Sequence, residues 1–324
     1  MQTQTHQTVR AIACAIALPL IATASASAGV ESFAGAGDAA AIQPALTDFR
    51  TSLGQLNGNV PGSFGSGRRE INWDAVPDAL SSPNLFPGDF FNFTAAPRAR
   101  GAAFTTEASA HFEVSAKTGN PTATAVEFGN IDPNYVEAFA AFSPQRLFAP
   151  IGSTITTVHF FIPGTVTAEA GVTGFGAIFT DVDIEGSTSI TAFDADGDVL
   201  GTVFAPAAAG DGQFSFAAIT STGFQNRIAS VEIVSGNAPL AAGSLDNARS
   251  GIDVVAMDDF IYGEPTSLNC LGDLNGDGDV GAPDLAILLG AWGPVGAHPA
   301  DFNGDGEVAA WDIGWLLGEW GACN

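Results

Sequence analysis

The 324-residue chain predicts a mainly β protein: an antiparallel, jelly-roll-like β-sandwich followed by a small all-α module. Three observations carry this. Between residues 104 and 264, short β-branched or aromatic runs alternate with Gly, Pro, Asn and Asp, the composition of strands and their turns. No helical periodicity separates those runs, so they form one antiparallel sandwich instead of α/β units. Beyond residue 265 the pattern changes to a tandem duplication in which each unit carries a helical apolar face.

In chain order, residues 1–28 have the form of a secretory signal peptide. A polar start with Arg10 leads to an apolar run from Ala11 to Ile21, then to the small residues Ala24-Ser-Ala-Ser-Ala28. That run is too short to span a bilayer, and Cys14 lies near its start, where no lipoprotein cysteine belongs. The expectation is a secreted or cell-surface protein without a membrane span. Removing the segment leaves nine cationic side chains against 35 acidic ones, a net charge of −26, with Lys117 the only lysine. Such a surface repels nucleic acid and anionic membrane.

Residues 29–103 form an Ala/Gly/Pro-rich leading region, packed on the sandwich or part of it. Asp38 is placed to cap a short helix in which Ile42, Leu46, Phe49 and Leu53 share a face. Trp73 is the only tryptophan outside the duplication; a core or edge anchor and a sugar-stacking platform are its two readings. Arg68 and Arg69 are expected to pair with carboxylates.

The sandwich is expected over 104–265. Its strands are read at 110–115, 155–161, 176–181, 189–193, 199–204, 214–219, 228–234 and 252–262. Asp194-Ala-Asp196-Gly197-Asp198 is read as a hairpin turn. Asp181, Asp183, Asp258 and Asp259 lie near strand ends and are a candidate structural calcium site. No G-x-S-x-G, H-E-x-x-H or phosphate loop occurs. His111 and His159 sit in strand-like runs, as sheet histidines do. Glycoside hydrolysis needs only two carboxylates and stays open on sequence.

The module is expected over 266–324. Asp273-Leu-Asn275-Gly-Asp277-Gly278-Asp279-Val280 returns 28 residues later as Asp301-Phe-Asn303-Gly-Asp305-Gly306-Glu307-Val308, and 13 of 21 aligned positions are identical. A hard cation such as calcium takes six to eight oxygens at about 2.4 Å, which a 12-residue loop supplies from positions 1, 3, 5, 7, 9 and 12. Those positions give Asp273, Asn275, Asp277, the carbonyl of Asp279, and Asp284; in the second copy they give Asp301, Asn303, Asp305, the carbonyl of Glu307, and Asp312. Position 9 is Gly281 or Ala309, so water fills that place. Gly278 and Gly306 fall at the sharp turn, and Val280 and Val308 at the position expected to tie one loop to its neighbour. Two calcium ions are predicted. Each loop is followed by one helix, with Leu285, Leu288, Leu289 and Trp292 matching Ile313, Leu316, Leu317 and Trp320 on one face, and Gly293 and Gly321 as stops. No helix enters the first loop.

A loop with only its exit helix, twice over, resembles a dockerin. The resemblance covers about 55 residues and implies attachment of an exported bacterial protein to a cohesin-like or cell-surface partner. It places partner recognition at Ala282, Pro283, Ala310 and Trp311, which depart from the hydroxyl-bearing pair common in that family. The runs at 67–74, 179–183 and 257–265 look like parts of an exported bacterial domain of unknown function. With Cys14 removed, Cys270 and Cys323 flank the duplication and would close a 54-residue loop, worth roughly 4 kcal/mol. Zinc is the weaker alternative, because two cysteines and His298 make no tetrahedral set. The G-A-C ending is similar to a Cys-terminated dockerin-like subgroup.

Together these readings predict an exported, non-catalytic, calcium-binding protein. Its sandwich binds a carbohydrate or a surface, and its tail tethers it. A polysaccharide-degrading component and a structural matrix protein are the alternatives.

Overall fold

The computed structural model describes residues 29–322, except 222–226, 245, 269, 271, 276–278 and 296–297. The expected signal peptide at 1–28, Asp277, Gly278 and Cys323 lie outside the described residues.

The leading region folds as strands and one helix. β1 (Val30–Gly37) is followed by α1 (Ala39–Leu53), then by β2 (Arg68–Ile71) and β3 (Ala102–Thr105). The helix starts where expected: Asp38 accepts from the N–H groups of Ala40 and Ala41 at 3.0 and 2.9 Å. Ile42, Leu46, Phe49 and Leu53 are its buried face.

The sandwich continues with β4 (His111–Val114), the short helix α2 (Tyr135–Ala138), β5 (Phe148–Ile151), β6 (Ile155–Phe160) and β7 (Ala170–Gly171). Next come β8 (Gly174–Thr180), β9 (Ser189–Phe193), β10 (Val199–Phe204), β11 (Phe214–Ser221), β12 (Ser230–Val234), β13 (Ala256–Gly263) and β14 (Thr266–Ser267). One sheet runs β1-β11-β8-β13-β5-β4, with β2 beside β13; the other runs β10-β9-β12-β6-β3. All these pairings are antiparallel. Apart from β7, which pairs with β14, successive strands from β5 to β13 are shared between the two sheets in the strand order of a jelly roll.

The two sheets differ in their outer faces. β8, β11 and β13 are buried along their whole length, because one side meets the opposite sheet and the other lies beneath α1, whose Phe49 packs against Phe216. β6, β9 and β12 alternate between buried and half-buried residues. Their inner residues Val158, Phe160, Ile190, Val231 and Ile233 join the core with Phe175, Phe179 and Phe260 of the larger sheet. Their outer residues form an open face.

The tail holds β15 (Asp279–Val280), α3 (Ala282–Gly290), β16 (Gly293–Pro294), β17 (Glu307–Val308), α4 (Ala310–Gly318) and β18 (Gly321–Ala322). Val280 and Val308 were expected to tie one loop to its neighbour; Val280 pairs with Gly321 and Val308 with Gly293, so each loop is tied to the exit of the other unit's helix. The helices end at Gly290 and Gly318, ahead of the expected stops, because the chain must straighten to make those pairs.

Leu288 and Leu316 are the fully buried members of the helix faces, in one core with Leu274, Val280, Phe302 and Val308. Leu289, Trp292, Leu317 and Trp320 are about half exposed. The expected single apolar face is thus divided, since a two-helix unit this small has nothing with which to cover it. No helix among the described residues is long and apolar enough to cross a membrane.

Candidate metal loops and the open sheet face

The second loop is described in full. Asp301, nearly buried, gathers the chain around itself: one oxygen accepts from Gly304 and Asp305 at 2.9 and 3.2 Å, the other from Gly306 at 2.8 Å. Gly306 takes φ +86°, the left-handed turn expected at position 6. Asp305 accepts from the N–H of Glu307 and from Asn303 Nδ2. Position 12 anchors the helix. Asp312 accepts from Phe302 N–H and Ala309 N–H, each at 2.8 Å, and is fully buried.

The first loop repeats the anchor. Asp284 accepts from Leu274, Asn275 and Gly281 at 2.8, 3.0 and 2.7 Å and is fully buried. Asp273 and Asn275 lie in this loop, with Asp279 opening β15; Asp277 falls in the segment that is not described. Ala282, Pro283, Ala310 and Trp311 open α3 and α4 on the exposed side.

The residues present fit a hard cation. Their donors are all oxygen, a carboxylate oxygen keeps a second lone pair after accepting one N–H, and no Lys or Arg follows Arg249 to balance Asp284, Asp301 and Asp312. As the side chains stand, no three His, Cys, Asp or Glu groups among the described residues converge on one metal position. Cys270 is disulfide-bonded; its expected partner, Cys323, lies outside the described residues.

Trp73 is a core residue. Its ring stacks on Phe148 at 4.0 Å, edges against Phe86, Phe91 and Phe260, and donates from Nε1 to the carbonyl of Asp258 at 2.7 Å. The arginines pair with acids: Arg68 with Glu70, and Arg69 with Glu264. Asp194 accepts from Asp196 and Asp198 across the β9–β10 turn, with Gly197 at φ +84°. His111 and His159 lie in β4 and β6.

Asp181, Asp183, Asp258 and Asp259 do not form one group. Asp258 and Asp259 share the Ser143 hydroxyl at 3.1 and 2.7 Å, whereas Asp181 feels the charges of Asp246, Asp183, Asp211 and Asp253. The sequence named two members of that second cluster. The others come from segments far along the chain, and no local pattern links them.

The open face was not singled out from sequence, although the alternation that creates it is visible in Ile155-Thr-Thr-Val-His-Phe160. The strand register aligns Thr105, Thr157, Glu232, Thr191 and Thr202 in one row across all five strands. At strand spacing this row is about 19 Å long. The next row holds Ala103, His159, Ser230 and Phe193. On the other side lie Ile155, Val234, Ser189 and the exposed Phe204. Thr191 and Thr202 hydroxyls are 2.9 Å apart, and Thr105 is 3.4 Å from His159 Nε2. Partial burial lowers His159 from its ordinary value, against the opposing pull of Glu169. The result is a surface of hydroxyls with one carboxylate, one imidazole and apolar flanks.

No family model matches the chain, and no curated protein matches it. Among solved structures it is similar to the CBM22-1 xylan-binding domain of Paenibacillus barcinonensis Xyn10C, at 8% identity and a TM-score of 0.26, over 63% of this chain and 96% of that one. It is also similar to the enzymatically active domain of bacteriophage CBA120 tailspike protein 4, at 13% identity and 0.26, over 62% of this chain and 23% of that one. A third likeness is to the CBM22-1–GH10 modules of Clostridium thermocellum xylanase 10B complexed with xylohexaose, at 10% identity and 0.22, over 54% and 26%. At such identities and scores, nothing about ligand or activity passes from these proteins to this chain.

Proposed function

We propose that this is an exported, non-catalytic protein whose jelly-roll sandwich binds a neutral polysaccharide on its open face and whose calcium-loaded tail docks on a protein partner. The open face carries the reading. Threonine and serine hydroxyls, Glu232 and His159 offer both donors and acceptors to sugar hydroxyls, while Phe193 and Phe204 offer apolar area to the C–H faces of a sugar ring. A net charge of −26 after export disfavours an acidic glycan. The half-exposed Leu289, Trp292, Leu317 and Trp320 support docking by a cohesin-like or cell-surface partner, because they leave repeated apolar area on both units of the tail.

Titration calorimetry of the full chain against soluble neutral polysaccharides tests the face. Binding without product release is expected, and Glu232→Ala with Thr157→Ala is expected to weaken it at least tenfold. Unchanged affinity in that variant would remove the face from the site.

A further inference from the structure

The end of the sandwich where β8 stops gathers acids from three loops, separate from both the tail and the open face. Asp181 is fully buried, and neither of its carboxylate oxygens has a hydrogen-bond partner. Its backbone takes φ +71°, a left-handed conformation that costs a non-glycine residue free energy and that collects at functional positions. Its own N–H donates to Gln213 O at 3.0 Å, which fixes the strand end.

The charges that raise this carboxyl are Asp246, Asp183, Asp211 and Asp253, largest effect first, all of them acids. Asp253 spends its oxygens on the N–H groups of Asp183 and Ile184, at 3.1 and 3.2 Å, and on the Ser187 hydroxyl. Asp183 accepts from Gly210 at 3.2 Å and Asp246 from Val254 at 2.9 Å. These bonds tie the 181–187, 205–213 and 246–254 loops together beside Asp181. A buried charge without partners is expensive. Neither oxygen is satisfied by a protein donor as the side chain stands. A cation among oxygen donors meets both needs.

We infer that Asp181 and Asp246 hold a divalent cation of the calcium type, with backbone carbonyls and water completing its oxygen shell. The site staples three loops at one end of the sandwich, and two carboxylates balance the ion. It is independent of the tail loops.

Equilibrium dialysis of the full chain against calcium, comparing wild type with Asp181→Asn, tests this. The tail is identical in both proteins, so its occupancy cancels and the expected difference is one ion per chain. Equal stoichiometry would overturn the site, as would a more stable Asp181→Asn protein with an undiminished count, the mark of a simple protonated acid. If Asp181→Asn does not fold, Asp246→Asn is expected to lose the same ion while its circular dichroism keeps the sheet signal; an unchanged count there overturns the inference equally.

Discussion

Arg69 and Glu264, 195 residues apart, form a fully buried two-pronged ion pair: Nη2 to Oε1 at 2.7 Å and Nε to Oε2 at 2.9 Å. The pair joins β2 to the exit of β13. It also organises the chain between α1 and β2, because Glu264 accepts from Asn57 Nδ2 and Phe64 N–H, and Arg69 donates to the carbonyls of Gly62 and Ala99. With every polar group used, it meets the condition under which a buried pair is tolerated.

Arg69→Met is therefore expected to cost about 3–5 kcal/mol, because it strands the Glu264 carboxylate in the interior. The double variant with Glu264→Gln should lose less than the sum of the singles. Urea unfolding of all three proteins measures the coupling.

Trp73→Ala should cost about 3–5 kcal/mol through the cavity left among Phe86, Phe91, Phe148 and Phe260. Since the ring is buried, glycan affinity of the protein that remains folded should not change. A selective loss of affinity would make Trp73 part of the binding site after all.

The acid cluster fixes the sign of one pH dependence. Burial, then the neighbouring carboxylates, push Asp181 up to about 8; burial first also pushes Asp246 up to about 6. The metal-free native state keeps protons that the unfolded chain releases near pH 4. Stability in EGTA should therefore fall as pH rises from about 4 to about 8. Calcium should flatten that slope by replacing the protons, and Asp181→Asn should reduce it without calcium. Melting curves at four or five pH values read both effects.

In the tail, calcium at a hundred times its dissociation constant should add about 2.7 kcal/mol per filled loop. Asp273→Ala with Asp301→Ala should abolish that increment. The fluorescence of Trp315, packed 4.6 Å from Phe302, reports on the second loop. Non-reducing mass spectrometry should find Cys270 joined to Cys323.

The parts of this structure that were legible in the sequence are those whose cause is local. Asp38 caps α1 whatever lies beyond, and β9 and β10 occupy the predicted spans because alternation and the Asp194–Asp198 turn define them together. The duplicated loops appear by self-comparison. β1 and β5 were missed because Val30-Glu-Ser-Phe-Ala-Gly-Ala-Gly37 and Phe148-Ala-Pro-Ile151 carry weak strand signals of their own. They are strands because β11, β4 and β13 pair with them.

Sequence by itself determined composition, periodicity, the helix cap and the oxygen-rich loops, since each depends on residues a few positions apart. Tertiary structure alone decided which sheet face stays open, that Trp73 lies inside, that each tail loop pairs with the other unit's exit, and that Asp246 acts on the buried Asp181. Those outcomes depend on register and on loops brought together across more than sixty residues, and no local pattern encodes the closure of such contacts.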